Sequence, residues 1–180
     1  MNKQTIFHIR TGGTIGGCVP EYKEIETLTG VFTDFVNFKK YIQDSYKIHA
    51  DYQEVELCHK DSRDMNSADR EQIIQIITRQ HAQGISKFLI THGTYTMPDT
   101  AQYLVDHLDP NILQTCHVVL TGSMFPWTVL GSDAPMNLGS ALSSLINLQI
   151  NGVFINMHGK DFVPGQVIKD TGKLVFQELQ

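Results

Sequence analysis

Residues 88–101 read FLITHGTYTMPDTA. The stretch opens on an apolar run, Phe88-Leu89-Ile90, and breaks into Thr91-His92-Gly93-Thr94-Tyr95-Thr96. It then passes into helical spacing over residues 98–108. An apolar run with no polar alternation is the pattern of a strand covered on both faces. A glycine set among hydroxyls at its end is the pattern of a loop whose backbone approaches a ligand.

The same unit recurs on either side. Residues 4–9 form a strand-like run before Thr11-Gly12-Gly13-Thr14-Ile15-Gly16-Gly17. Residues 52–57 lead to Asp61-Ser62-Arg63-Asp64-Met65, and residues 117–121 to Gly122-Ser123-Met124-Phe125-Pro126-Trp127. Residues 152–157 run into His158-Gly159-Lys160-Asp161-Phe162. Between these runs, helical spacing covers residues 35–46, 67–80 and 134–149. Ser67 is the expected cap of the second helix and Gly84 its terminator. Residues 166–169 and 173–176 suit a hairpin. Strands alternating with helices predict an α/β fold with a mostly parallel sheet and helices on both faces. No repeat, low-complexity stretch or inner linker divides the chain, so residues 1–180 are expected to form one domain.

Composition narrows the function classes. The 180 residues are 41% hydrophobic and 18% charged, which is enough apolar material for one core. The net charge is -5 with no cluster of Lys and Arg. Nucleic-acid binding is disfavoured, because it needs clustered positive charge. The first residues hold no long apolar h-region, and no run approaches bilayer-spanning length. Neither a secretory leader nor a membrane role is expected. Cys18, Cys58 and Cys116 are widely spaced and make no CxxC pattern. Reduced thiols in a cytoplasmic protein are the expectation.

Ligands of open α/β sheets bind beyond the C-terminal ends of the strands. Here those ends are rich in Gly, Ser and Thr, which offers backbone N–H groups and short hydroxyl donors. Helix N-termini behind the loops favour a negative group. A small, polar, anion-bearing ligand fits this set. The loop at 11–17 is neither a P-loop nor GxGxxG, and a plain tight turn is its alternative reading. A threonine serves as nucleophile only if another group takes its proton. No Ser-His-Asp order and no HExxH pattern is visible, and His92 reads as a structural histidine. Lys169 is a base if desolvated and an ordinary surface lysine otherwise. Tyr22 either folds over the site, where its phenol relays a proton, or packs on the surface.

Five segments in this order resemble the bacterial-type L-asparaginase family: TGGTIGG at 11–17, DSRDM at 61–65, THGTYTMPDTA at 91–101, TGSMFPW at 121–127 with SDAPMNLGSAL at 132–142, and GQVIK at 165–169. The resemblance spans essentially the whole chain but reaches only the family's N-terminal domain. It implies a flavodoxin-like or Rossmann-like three-layer sandwich in a short, single-domain member. By resemblance, Thr14 is the nucleophile, Tyr22 the flap tyrosine that activates it, and Thr94 with Lys169 the second catalytic pair. Ser62 and Arg63 match the loop that grips the substrate α-carboxylate. Gly13, and the backbone around Gly93 and Ser123, face the substrate.

The implied reaction hydrolyses the side-chain amide of L-asparagine to L-aspartate and ammonia through an acyl-enzyme, with no metal or organic cofactor. A homodimer or homotetramer is implied. Two positions depart from the family pattern. Tyr95 stands where an aspartate usually binds the substrate ammonium, and Arg63 where glutamine is common. Asp61, Asp64 and Asp99 are the carboxylates that could compensate. Alternatives are a sensor module with weakened catalysis, a hydrolase of another ω-amide, and an amidase subunit that passes ammonia to a partner.

Overall fold

The computed structural model describes residues 4–18 and 34–179. In chain order the strands and helices are β1 (Thr5–Gly12), β2 (Gly17–Cys18), β3 (Asp34–Phe35), β4 (Asp51–Lys60), α1 (Ser67–His81), β5 (Lys87–Thr91), α2 (Met97–His107), α3 (Pro110–Thr115), β6 (His117–Thr121), α4 (Ala134–Asn147), β7 (Gly152–Met157), β8 (Lys160–Phe162), β9 (Val167–Asp170) and β10 (Val175–Glu178).

Six strands form one sheet in the order β4-β1-β5-β6-β7-β8. All pairings are parallel except β7 with β8. Successive residues of each strand enter opposite layers. Phe88 and Ile90 join the cluster under α1, α2 and α3, with Ile9, Val118, Leu120 and Ile155. Leu89 faces the other way, with Ile6, Val119 and the buried face of α4. Both faces of β5 are therefore dry, which explains its unbroken apolar run. The result is a three-layer α/β sandwich, as the alternation of strands and helices predicts.

Several local expectations need correction. Asn66, not Ser67, caps α1. Its side chain accepts from the N–H groups of Ala68 (2.9 Å) and Asp69 (3.2 Å), and the Asp69 carboxylate accepts from Asn66 N–H. This reciprocal box outcompetes a lone serine one residue later. Residues 34 and 35 pair as β3 with β2 instead of opening a helix. The helical part begins after them, and Lys40–Ser45 is wound wide, with Tyr46 N–H donating to the Tyr41 carbonyl at 2.8 Å. The short α3 and the antiparallel edge strand β8 add two elements that the alternation of strands and helices does not predict. The hairpin is present as β9 and β10, antiparallel and one or two residues later than expected. No helix among the described residues is long and apolar enough to cross a membrane.

Candidate active site

The sheet order places β1 between β4 and β5, so the chain runs outward in both directions from β1. That is the topological switch point where open α/β sheets bind ligands. Three loops converge there, and two glycines let them touch. Gly13 has φ +77°, and a Cβ on it would lie 2.4 Å from the Gly93 nitrogen. A Cβ on Gly93 would lie 2.8 Å from the Ser62 Cβ. Side chains at either position would force the loops apart. The Gly13 N–H donates to the Lys60 carbonyl at 3.1 Å, which ties the β1 loop to the end of β4.

The β4 loop is held from below. Lys60 Nζ donates to both Asp69 oxygens at 2.7 Å, joining the strand end to the first turn of α1. Ser62 is almost fully buried. Its Oγ accepts from the N–H groups of Tyr95 (3.1 Å) and Thr96 (3.3 Å), and its carbonyl accepts from the Thr96 hydroxyl. These N–H groups at the head of α2 are thereby occupied by Ser62, so they are not free for a ligand anion as the helix-terminus argument expects. The Ser62 O–H proton remains the group it can offer.

A cavity of about 150 Å³ lies above these loops. That is below the roughly 300–1,000 Å³ of sites for drug-sized ligands and suits a small metabolite. Gly13, Thr14, Ser62, Arg63, Gly93, Thr94, Tyr95 and Lys169 all line it. Ser123 does not. It is fully buried, with its hydroxyl donating to the Phe125 carbonyl at 2.6 Å, and its neighbour Met124 faces the cavity instead. Asp133 fixes this turn by accepting from the N–H groups of Met124 and Phe125, both at 3.0 Å. Tyr22 lies outside the described residues.

One hydrogen bond joins two of the residues that line the cavity. Lys169 Nζ donates to Thr94 Oγ1 at 2.7 Å, from β9 to the loop after β5. Burial pushes the Lys169 ammonium below its ordinary pKa. Asp61 opposes the shift and Arg63 adds to it. A lysine so placed is closer to the neutral amine that can accept a threonine proton. His92 is no rival base. It is fully buried, its Nδ1 lies 2.7 Å from the Gly93 carbonyl, and burial lowers its pKa to about 4.

Tyr95 offers its ring to two basic side chains. Lys169 Nζ sits 3.7 Å from its ring centroid and the Arg63 guanidinium carbon 4.9 Å. A π face attracts both without formal charge. Arg63 in turn grips Asp61, with Nε on Oδ1 at 3.0 Å and Nη2 on Oδ2 at 2.7 Å. These bonds hold the Asp61 carboxyl below its ordinary pKa. Of the three possible compensating carboxylates, only Asp61 lines this cavity. Asp99 lines a second cavity behind Tyr95 and Lys169. Their sequence positions alone could not rank the three.

The family model of the asparaginase N-terminal domain matches residues 5–173. L-asparaginase 1 of Escherichia coli (strain K12) is 32% identical over 159 residues, covering 85% of this chain and 44% of that protein. The probable L-asparaginase 4 of Schizosaccharomyces pombe is 30% identical over 135 residues, 73% of this chain and 36% of that protein. The solved structure of a probable cytoplasmic L-asparaginase from Campylobacter jejuni superposes with a TM-score of 0.79 at 28% identity, over 93% of this chain and 50% of that one. The chain thus matches half or less of the length of each of these relatives. Sequence and fold agree over nearly all of its residues: this chain belongs to the asparaginase family and carries the family's N-terminal domain.

Proposed function

We propose that the protein is an amidohydrolase that converts L-asparagine to L-aspartate and ammonia through a threonine nucleophile. The observation that carries this reading is the 2.7 Å Lys169–Thr94 contact, inside the cavity that also holds Thr14, in a chain of this family. Thr14 Oγ attacks the side-chain amide carbon and its proton passes to a base. Backbone N–H groups of the glycine loops, at Gly93 above all, stabilise the oxyanion that forms. The C–N bond breaks, the nitrogen takes up the proton, and ammonia leaves an ester on Thr14. Water then attacks the ester, with neutral Lys169 drawing its proton through Thr94, and L-aspartate is released. Tyr22, from the segment after β2, is the proton acceptor for Thr14 in this scheme. Ser62 and Arg63 hold the substrate α-carboxylate. No metal or organic cofactor takes part.

The test is ammonia release by purified protein from L-asparagine, with L-glutamine beside it. Turnover of asparagine with slower turnover of glutamine is expected, because the cavity is small. No release from either amide by folded protein would refute the reading.

We read residues 1–180 as one folding unit that works in a homodimer or homotetramer. The cavity behind Tyr95 supports this: it is walled by Val167, Ile168 and Leu179, and the last two are exposed. Closed symmetric pairs are the commonest way to cover such a face. Light scattering at working concentration should give at least twice the 20.3 kDa chain mass, and a monomeric mass would refute it.

A further inference from the structure

We infer that the Asp61–Arg63 ion pair is the reader of the substrate's amino-acid head group, with Asp61 accepting the α-ammonium and Arg63 donating to the α-carboxylate. The inference rests on the amidohydrolase reading and adds a specificity residue to it.

Each carboxylate oxygen has two lone pairs to offer. Asp61 Oδ1 accepts from both the backbone N–H and the Nε–H of Arg63, at 2.9 and 3.0 Å, and is full. Oδ2 accepts one bond among the described residues, from Nη2 at 2.7 Å, and keeps one lone pair there. The guanidinium has five N–H donors and spends two on Asp61, leaving three. The pair therefore ends in one free acceptor site and one free donor face. An α-amino acid carries an ammonium and a carboxylate on the same carbon, so it meets this pair with opposite charges. It can add to both members without breaking the bond between them.

Placement supports the same assignment. The Asp61 side chain is 12% exposed and that of Arg63 59% exposed, so the carboxylate is fixed in the wall while the guanidinium reaches into the opening. The other charged or aromatic residues on that wall are Lys169 and Tyr95, and neither can accept from an ammonium as a carboxylate does. Asp61 is the only carboxylate among the described residues lining the cavity. Among the described residues a ligand ammonium has no other anion to meet there.

The variant of choice is Asp61→Asn. Asp61 also caps the turn Ser62–Asp64 by accepting from Arg63 N–H, and asparagine keeps that cap. The probes are L-asparagine and succinamate, which is asparagine without its α-ammonium. In Asp61→Asn, kcat/KM for L-asparagine should fall roughly ten- to a hundredfold more than for succinamate, as expected for one lost charge-assisted hydrogen bond. The difference should lie mostly in KM. An equal fall on both substrates would reduce Asp61 to a residue that orders its loop, and no fall would remove it from recognition; either overturns the inference.

If the wild type turns over neither amide, the hydrolase reading has failed by itself. Calorimetry with L-aspartate and succinate then tests the head-group assignment separately. Wild type should favour L-aspartate and Asp61→Asn should lose that preference. The same preference in both proteins, or no binding of either ligand, overturns the inference.

Discussion

Lys169→Met should lower kcat for L-asparagine by about a hundred- to ten-thousandfold, the range expected when a general base is removed. Methionine matches lysine in length and is apolar, and its sulfur packs well against an aromatic ring. It can occupy the half-buried slot beside Tyr95 and leave the loop in place. What it removes is the nitrogen 2.7 Å from Thr94 Oγ1. Lys169→Arg separates two roles for that nitrogen. An arginine stays charged at every working pH and cannot take a proton. If Lys169 acts as a neutral base, Arg fails as badly as Met; if only its charge matters, Arg restores activity within about tenfold of wild type.

The pH profile gives an independent reading. Lys169 must lose its proton before it can accept one from Thr94. The active fraction therefore rises with pH through the Lys169 pKa. Burial lowers that pKa, so the rising limb should lie below the ordinary lysine range of about 10.4. The wild type should show the limb in kcat/KM and Lys169→Met should lack it. A wild-type profile flat from neutral to alkaline pH would remove Lys169 from proton transfer.

Thr14→Ala should cost about a thousandfold or more in ammonia release, because no covalent intermediate can form without the nucleophilic oxygen. The loss should appear in kcat. L-aspartate should still bind, since the Asp61–Arg63 pair and Ser62 are untouched. The contact seen around the threonines makes the result informative. Thr94 has its base in place, whereas the activator proposed for Thr14 is Tyr22, outside the described residues. If Thr14→Ala keeps activity within about tenfold while Thr94→Ala abolishes it, Thr94 is the nucleophile and the order of roles proposed above is reversed. Mass spectrometry of acid-quenched enzyme would show which threonine peptide carries the acyl group.

Much of this was legible in the order of residues. Apolar runs such as Phe88-Leu89-Ile90 marked parallel strands because burial on both faces leaves no polar position in the period. Glycine and hydroxyl clusters at the strand ends marked the ligand side, since only there do loops approach a small molecule with bare backbone. The resemblance named both threonines, Ser62, Arg63, Tyr95 and Lys169, and the cavity gathers them. Those inferences depend on local pattern, which a linear sequence carries in full.

Other features were decided by contacts between distant segments. The residues alone leave Lys169 open between a base and a surface lysine; the β9–β10 hairpin favours the first by bringing it to Thr94, 75 residues earlier in the chain. Asp61 could not be told from Asp64 or Asp99 until the converging loops left it alone of the three on the cavity wall. Met124 replaced Ser123 as a lining residue because Asp133 grips the backbone of the turn and sets which side chain points inward. The strand β8 turned antiparallel through the short link after β7, which no apolar period announces. Desolvation and charge pairing are properties of the assembled neighbourhood: layers and loops follow from local pattern, whereas tertiary packing decides that the Lys169 nitrogen is desolvated and that Asp61, of the three carboxylates, lines the cavity.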